Sequence, residues 1–416
     1  MSSAGTIHDV AIVGAGSAGL AAATAARALG LDFVLLEASH RIGGRGYTEQ
    51  FAPGIAFDLG CHWMHSASRN PYVAIADRFG FTYRKGTFPR GLWIDGRWAS
   101  EDERASLEAS YDRRHAAIIA AARTGAGQSI AEATERDDRW TTVLDYWTSI
   151  ANAADPDEVS VDDSYNYVDT DENWPIKQGF GALIARFGGD LPVALNCAVQ
   201  RIGWGNADIS LHTTKGTVRA KRALITVSTG ILGAGDIRFD PALPDWKLVA
   251  IAGLPLGTHN RIGLLFDRDV FGPDCPRGGA FLLPGEEPVG FSLRPFDQNY
   301  VTAFTGGRHA VWLERAGTAA AVDFATEKLG KIFGGAVTKH VTRHIVTAWT
   351  GDPWVRGSYS AALPGQGHQR AQLARPLDDR LYFAGEATSI DAHATAHGAY
   401  LTGVASMKAM ARSLAK

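Results

Sequence analysis

The chain has 416 residues, 45% of them hydrophobic and 20% charged, with a net charge of −3. That length allows two domains with full cores, and the near-neutral balance gives no charge-driven role with nucleic acid or an anionic membrane. Three scattered cysteines, Cys61, Cys197 and Cys275, show no metal-ligand or CxxC spacing, so neither a metal site nor a disulfide framework is expected, which suits a reducing cytoplasm.

The opening MSSAGTIHD has no basic run ahead of its apolar segment, so it does not read as a signal peptide, and no apolar stretch reaches membrane-spanning length. Val10–Val13 is an apolar run suited to a buried strand. Gly14, Gly16 and Gly19 follow at GxGxxG spacing. Ala21–Leu29 predicts a helix, Phe33–Leu36 a second buried strand, and Glu37 ends that strand. This is a βαβ unit with a dinucleotide fingerprint in its required context. The first glycine permits the tight turn, the second lets backbone approach a pyrophosphate, and the third lets helix and strand pack closely. The residues from Gly14 through Ser17 to Leu20 put free N–H groups of a helix N-terminus on the pyrophosphate. Glu37 can accept from both ribose hydroxyls, which argues against a 2′-phosphate. Arg41, Gly43, Gly44 and Arg45 then add a second glycine turn with guanidiniums for phosphate and ribose oxygens.

Residues 101–123 and 129–151 predict two helices. An acidic stretch runs from Asp155 to Glu172. Over residues 91–190 there are 20 acidic against 9 basic side chains, which reads either as a funnel for cationic ligands or as a solvated acidic loop. Short β-like runs return at Ala194–Val199, Asp208–His212, Thr217–Val218 and Ala223–Val227. Residues 256–350 alternate strands with Gly/Pro turns around one helix near 318–333. Arg380–Ala384 predicts a strand and residues 396–414 a long helix. The predicted class is α/β, with interleaved domains: residues 6–90, 191–250 and 345–416 for the nucleotide, and 91–190 with 251–344, α+β around a mixed sheet, for the substrate.

Several further motifs resemble those of the flavin-containing amine oxidase family. They are Asp58-Leu-Gly60-Cys-His62-Trp63-Met-His65, Gln178-Gly-Phe-Gly-Ala-Leu183, Cys197-Ala-Val199-Gln-Arg-Ile202 and Ala223–Leu232, in which Ser228 replaces the usual proline. Asp352-Pro-Trp-Val-Arg-Gly-Ser-Tyr359, Phe383-Ala-Gly385-Glu386-Ala-Thr388 and His397–Gly403 complete the set. The resemblance spans nearly the whole chain and implies FAD as cofactor, with Gly60, His62 and Trp63 beside the flavin ring and the Val199 backbone at the adenine. It further implies Gly385 and Glu386 at the ribitol and pyrophosphate, and Thr395 and Ala396 at a helix N-terminus facing flavin N1/O2. Family members with covalently held flavin carry cysteine where this chain has Ser358, so non-covalent FAD is expected.

On the substrate side the resemblance places Tyr359 as one ring of an aromatic cage whose second position is Thr395, with Trp349 near the same wall. His65 is the candidate to touch the amine; His393 and His397 carry weaker claims. Arg261 stands where the family carries a lysine that assists reaction with oxygen. It is read as a fixed cation in that role, as a structural ion pair pointing away, or as the mark of an acceptor other than O2, such as a protein or quinone. The implied activity is oxidation of a primary or secondary amine by hydride transfer from its α-carbon to flavin N5, with imine hydrolysis and flavin reoxidation, by O2 giving H2O2. An L-amino-acid oxidase is the first alternative, with Arg90 or Arg294 pairing the carboxylate. A desaturase or porphyrinogen-type oxidase on an apolar substrate is the second. A homodimer is the default assembly.

Overall fold

The computed structural model describes residues 6–86, 90–94, 96–272, 275–283 and 285–415, apart from the Arg90 side chain. Ile7–Val13 lies at the centre of an eight-stranded sheet, parallel to Phe33–Leu36 on one side and to Gly216–Ile225 on the other. The C-terminal half of Gly216–Ile225 also takes Leu381–Phe383 in parallel, while its N-terminal half pairs antiparallel with Ile209–Thr213. One long strand thus links the central sheet to a meander. Val10, Ala11 and Ile12 are fully buried because both faces of the sheet are covered. The helices Ser17–Ala28 and Ala396–Leu414 cover one face and touch closely: a Cβ on Gly403 would lie 2.2 Å from the Ala18 carbonyl oxygen.

A second, seven-stranded sheet orders Val341–Val346, His259–Phe266, Tyr300–Gly306, Val289–Leu293, Gly278–Leu282, Arg90–Ile94 and Arg97–Trp98. Strand alternation sorts the residues of His259–Phe266. Ile262, Leu264 and Phe266 enter the core with the helix Thr318–Phe333, whereas His259 and Arg261 turn to a large cavity.

The structure differs from the sequence reading at several points: residues 256–350 hold the helices Gly307–Ala316 and Thr318–Phe333 where one was expected, and three further elements change their bounds. The helix expected over 129–151 is two, Ile130–Ala133 and Thr141–Asn152. Asp138 accounts for the break: its carboxylate accepts the Trp140 N–H at 2.8 Å and the Ser110 hydroxyl at 2.6 Å, pinning a turn to the helix Glu101–Thr124. The run Ala194–Val199 divides at Asn196, whose φ of 51° interrupts the strand. Thr217–Val218 and Ala223–Val227 fall largely within the single strand Gly216–Ile225. No helix among the described residues is long and apolar enough to cross a membrane.

Candidate active site

One cavity of about 2070 Å³ runs from the end of the parallel sheet to the face of the second sheet. This is about twice the upper size of an ordinary small-ligand pocket, which leaves room for a cofactor and a second ligand beside it. Every residue that the sequence places at the cofactor or in the substrate cage lines it except Ala15, Gly19 and Leu20 of the fingerprint.

At the sheet end the glycines divide their work. Gly14 has φ +100°, which only glycine adopts without strain. A Cβ on Gly16 would meet no protein atom nearer than 3.9 Å, so this backbone faces open cavity. Gly19 is a packing residue: its Cβ would fall 1.9 Å from the Gly14 oxygen. The helix Ser17–Ala28 has no side-chain cap at Gly16, which leaves its first N–H groups for an anion. Glu37 is 8% exposed; Oε2 accepts the Ala15 N–H at 2.7 Å and Oε1 the Ser39 N–H at 2.8 Å. Burial raises its pKa. Arg41 donates to the Gly44 oxygen at 2.8 Å and stacks 3.8 Å over Tyr47. Val199 opens its strand at the cavity wall.

The closing segment is tied to this cradle by charge. Glu386 accepts from Arg45 and from the Ser360 hydroxyl and N–H, and it also takes the Ala394 N–H. Burial works to raise the Glu386 pKa, but Arg45 and Arg370 outweigh it and hold the carboxyl below its ordinary value. Ser17 donates to the Ala396 oxygen at 2.7 Å, and Thr395 caps the helix Ala396–Leu414 by accepting the Gly398 N–H. The open Gly16 and Gly385 backbones, the carboxylate at the strand end and two helix N-termini on one cavity fit FAD.

The inner end is aromatic. Trp63, Phe304, His259 and Tyr359 form a chain, with centroids 5.7 Å apart for Trp63–Phe304, 6.1 Å for His259–Phe304 and 5.7 Å for His259–Tyr359. The Tyr359 hydroxyl donates to the Ile150 oxygen. Trp349 donates to the Leu59 oxygen at 3.0 Å and backs Gly60. His62 Nδ1 lies 3.0 Å from Asp58, whose carboxylate also takes the Phe180 and Gly181 N–H groups. His65 Nδ1 donates to Asn173 Oδ1, leaving Nε2 with the lone pair, and burial lowers the His65 pKa.

Arg261 is 6% exposed, donates to the Asp58 oxygen at 3.0 Å, and lies 5.7 Å from both the Trp63 and Phe304 rings. Its Nε has no partner, and among the described residues it has no ion pair. The structural ion-pair reading is therefore set aside: Arg261 points into the cavity, not away from it.

The acidic stretch is mostly spent on structure. Asp157 pairs with both Nη atoms of Arg308, Asp163 grips buried Arg370, and Glu172 accepts from Ser68. Asp169 and Asp171 line the cavity. Arg294 lines it too, pairing with Asp269 at 3.1 Å and donating to the Gly272 oxygen while its Nε keeps no partner, and the Arg90 side chain lies outside the described residues. His393 lines the cavity against Tyr167; His397 does not. The sequence reading missed His259, Phe304, Tyr146 and Asn173. Only His259 carried a local signal, two residues before Arg261 on the same strand face.

A dinucleotide cradle at the carboxyl edge of a parallel sheet, opening into an aromatic chamber, defines an FAD-dependent oxidoreductase. The chain belongs to the flavin containing amine oxidoreductase family, which matches residues 17–407, and it is an FAD-dependent amine oxidoreductase. It is 29% identical over 434 residues to polyamine oxidase 4 of Oryza sativa subsp. japonica, covering 95% of this chain and 87% of that one. It is 31% identical over 446 residues to lysine-specific histone demethylase 1 homolog 1 of the same species, covering 95% of this chain but 51% of that one. In fold it is similar to a putrescine oxidase solved with putrescine, at a TM-score of 0.82 and 18% identity over 99% of this chain and 100% of that one.

Proposed function

We propose that the protein oxidises a primary or secondary amine to an imine, which water then hydrolyses, with residues 6–90, 191–250 and 345–416 holding FAD and 91–190 with 251–344 shaping the substrate chamber. The observation that carries this is the single cavity in which the dinucleotide cradle continues into the chamber of Trp63, His65, Arg261, Phe304 and Tyr359. FAD, when bound, supplies the two-electron oxidation at the amine α-carbon. The chain's own residues prepare the amine. The aromatic walls exclude water and so favour its neutral form. His65 Nε2 accepts a proton or a hydrogen bond from the nitrogen, since Nδ1 is held as donor by Asn173. Tyr359 and Trp349 bound the amine, and Thr395 supplies no second cage ring. Arg261 places a permanent positive charge at the reactive end.

Ser358 supports non-covalent FAD: its hydroxyl accepts the His259 N–H and donates to the His259 oxygen, and serine cannot form a thioether. Three unpaired cysteines suit the cytoplasm. The test is anaerobic mixing of the yellow holoenzyme with mono-, di- and polyamines. Bleaching of the flavin by at least one is expected, and a panel that leaves it oxidised contradicts the reading. Admitting air afterwards reads the acceptor: rapid recolouring assigns O2, and sluggish recolouring a protein or quinone.

A further inference from the structure

Five lysine or arginine side chains are buried among the described residues: Arg114, Lys247, Arg261, Lys328 and Arg370. Three are fully engaged. Lys247 donates to the oxygens of Gln372, Leu373 and Arg375. Lys328 donates to Glu286 and to the Glu287 oxygen. Arg370 takes both Asp163 oxygens, Ser360 and the Ala387 oxygen. None of these three lines the cavity. The two that do line it, Arg114 and Arg261, keep unpartnered N–H groups: Nε and Nη1 of Arg114, and Nε of Arg261. A buried charged donor without an acceptor is among the costliest groups a fold can hold, so this division by location calls for a ligand.

Arg277 and Arg294, which line the cavity as less buried side chains paired with Asp297 and Asp269, also keep one unpartnered nitrogen each; of the two buried groups, Arg114 is the one that the amine chemistry leaves unexplained. It stands on the helix Glu101–Thr124 in the buried stripe Leu107, Ser110, Arg114, Ile118, Ala121, where the spacing asks for an apolar residue. Its Nη2 donates to Asp145 Oδ1 at 2.8 Å and approaches the Thr148 hydroxyl at 3.4 Å. Asp145, however, already receives Arg136 on both oxygens. One carboxylate therefore serves two guanidiniums, and the wall retains an excess positive charge. Leu107, Ile118, Ile130 and Leu144 line the cavity around it, and such apolar walls strengthen any ionic contact made there. Cavity carboxylates also exist, at Glu108, Asp169 and Asp171, and the charge of Asp169 reaches His65. The cavity thus carries both signs of charge, and Arg114 is its incompletely paired guanidinium between the helices Glu101–Thr124 and Thr141–Asn152.

We propose that Arg114 is an anion subsite that receives a carboxylate carried by the substrate at the end remote from its amine. The substrate class is then an ω-amino carboxylate rather than a plain alkylamine. Nη1 offers two N–H groups and Nε a third, all charge-assisted donors suited to a carboxylate. This rests on the amine-oxidation reading for its chemistry, but the subsite itself does not.

The experiment compares holoenzyme turnover of alkylamines with ω-amino acids of matched length, over roughly four to eight carbons. At the best length the carboxylate is expected to raise kcat/KM by about tenfold or more. Arg114→Gln should erase that ratio while leaving the alkylamine rate within about threefold, and Arg114→Lys should keep part of it. A ratio at or below one across the series, or one unchanged in Arg114→Gln, overturns the proposal and leaves amine oxidation standing. If no amine is oxidised, amine oxidation fails, and hexanoate binding to the oxidised holoenzyme decides the subsite by calorimetry. Saturable binding weakened about tenfold in Arg114→Gln supports it. Binding that is absent or indifferent to the substitution overturns it. If Arg114→Gln does not retain flavin, the subsite is decided by hexanoate binding to Arg114→Lys and by hexanoate against neutral hexanamide on the wild type. Weaker hexanoate binding in the Lys variant and a clear preference for hexanoate over the amide support it, and equal binding in both comparisons overturns it.

Discussion

At the nucleotide end of the cavity, backbone does the shaping: Gly14, Gly16 and Gly19 lie within six residues, and the Glu37 carboxylate is oriented by two backbone N–H groups. At the inner end, side chains do it. Trp63, Tyr146, His259, Arg261, Phe304 and Tyr359 come from five separated stretches of chain, and Arg261 and Arg114 remain partly unsatisfied. The contrast teaches that one end offers a ligand backbone groups shaped by local sequence, whereas the other offers side chains gathered from distant stretches, with guanidinium N–H groups in reserve.

The sharpest way to break the comparison lies within the fingerprint itself. Gly19→Ala forces a Cβ against the Gly14 oxygen, and a loss of at least about 3 kcal/mol is expected, with little flavin retained. Gly16→Ala meets only open space, so the apoprotein should melt as the wild type does while FAD binding weakens. Melting curves with the flavin-to-protein absorbance ratio check both; two equally destabilised variants would show that Gly16 is a packing residue too.

Glu386 joins the two ends. Glu386→Ala takes the carboxylate from Arg45 and Ser360 while Arg370 keeps Asp163, and about 3 kcal/mol of stability should go with it. Denaturant titration measures this, and a loss below about 1 kcal/mol would mean that solvent replaces the carboxylate.

Acid acts next in size. His393 and His397 are pulled down to about 4, chiefly by burial, and so are neutral in the folded protein. An unfolded histidine titrates near ~6.5. The stability these histidines contribute is complete above that pH and is lost as pH falls towards 4, by at most about 3 kcal/mol each. The melting temperature should drop between about pH 7 and pH 5, and His393→Asn should shallow the drop. A flat profile over that interval contradicts the burial assigned to both rings. Smallest in energy is the linkage at Ser358: acid precipitation should release all the flavin to the supernatant, and yellow colour left in the pellet would refute non-covalent binding.

Legibility in the sequence followed the same division. The βαβ unit, Glu37, the second glycine turn and the closing helix could be read because their signals are local, being periodicity and glycine spacing within about forty residues. Phe304 and Tyr146 could not be read. Phe304 faces the chamber because it sits opposite Arg261 in antiparallel register, and Tyr146 because its helix packs on that strand. Asn173 fixes the His65 tautomer from 108 residues away. Asp138 broke a helix that periodicity had continued, since a side chain competing for backbone N–H groups leaves no trace in an apolar pattern.

The central claim is that the reactive flavin ring lies at the Arg261 end and the adenine dinucleotide at the Arg41 end. Redox titration of two holoenzyme variants tests it most directly. Removing a buried cation beside the ring disfavours the reduced, anionic flavin. Arg261→Met should therefore lower the midpoint potential by about 30 mV or more, equivalent to about 1.4 kcal/mol for two electrons. Arg41→Met should weaken FAD binding and leave the potential within about 10 mV of wild type. A shift in Arg41→Met with none in Arg261→Met would contradict the account and reverse the orientation of the cofactor.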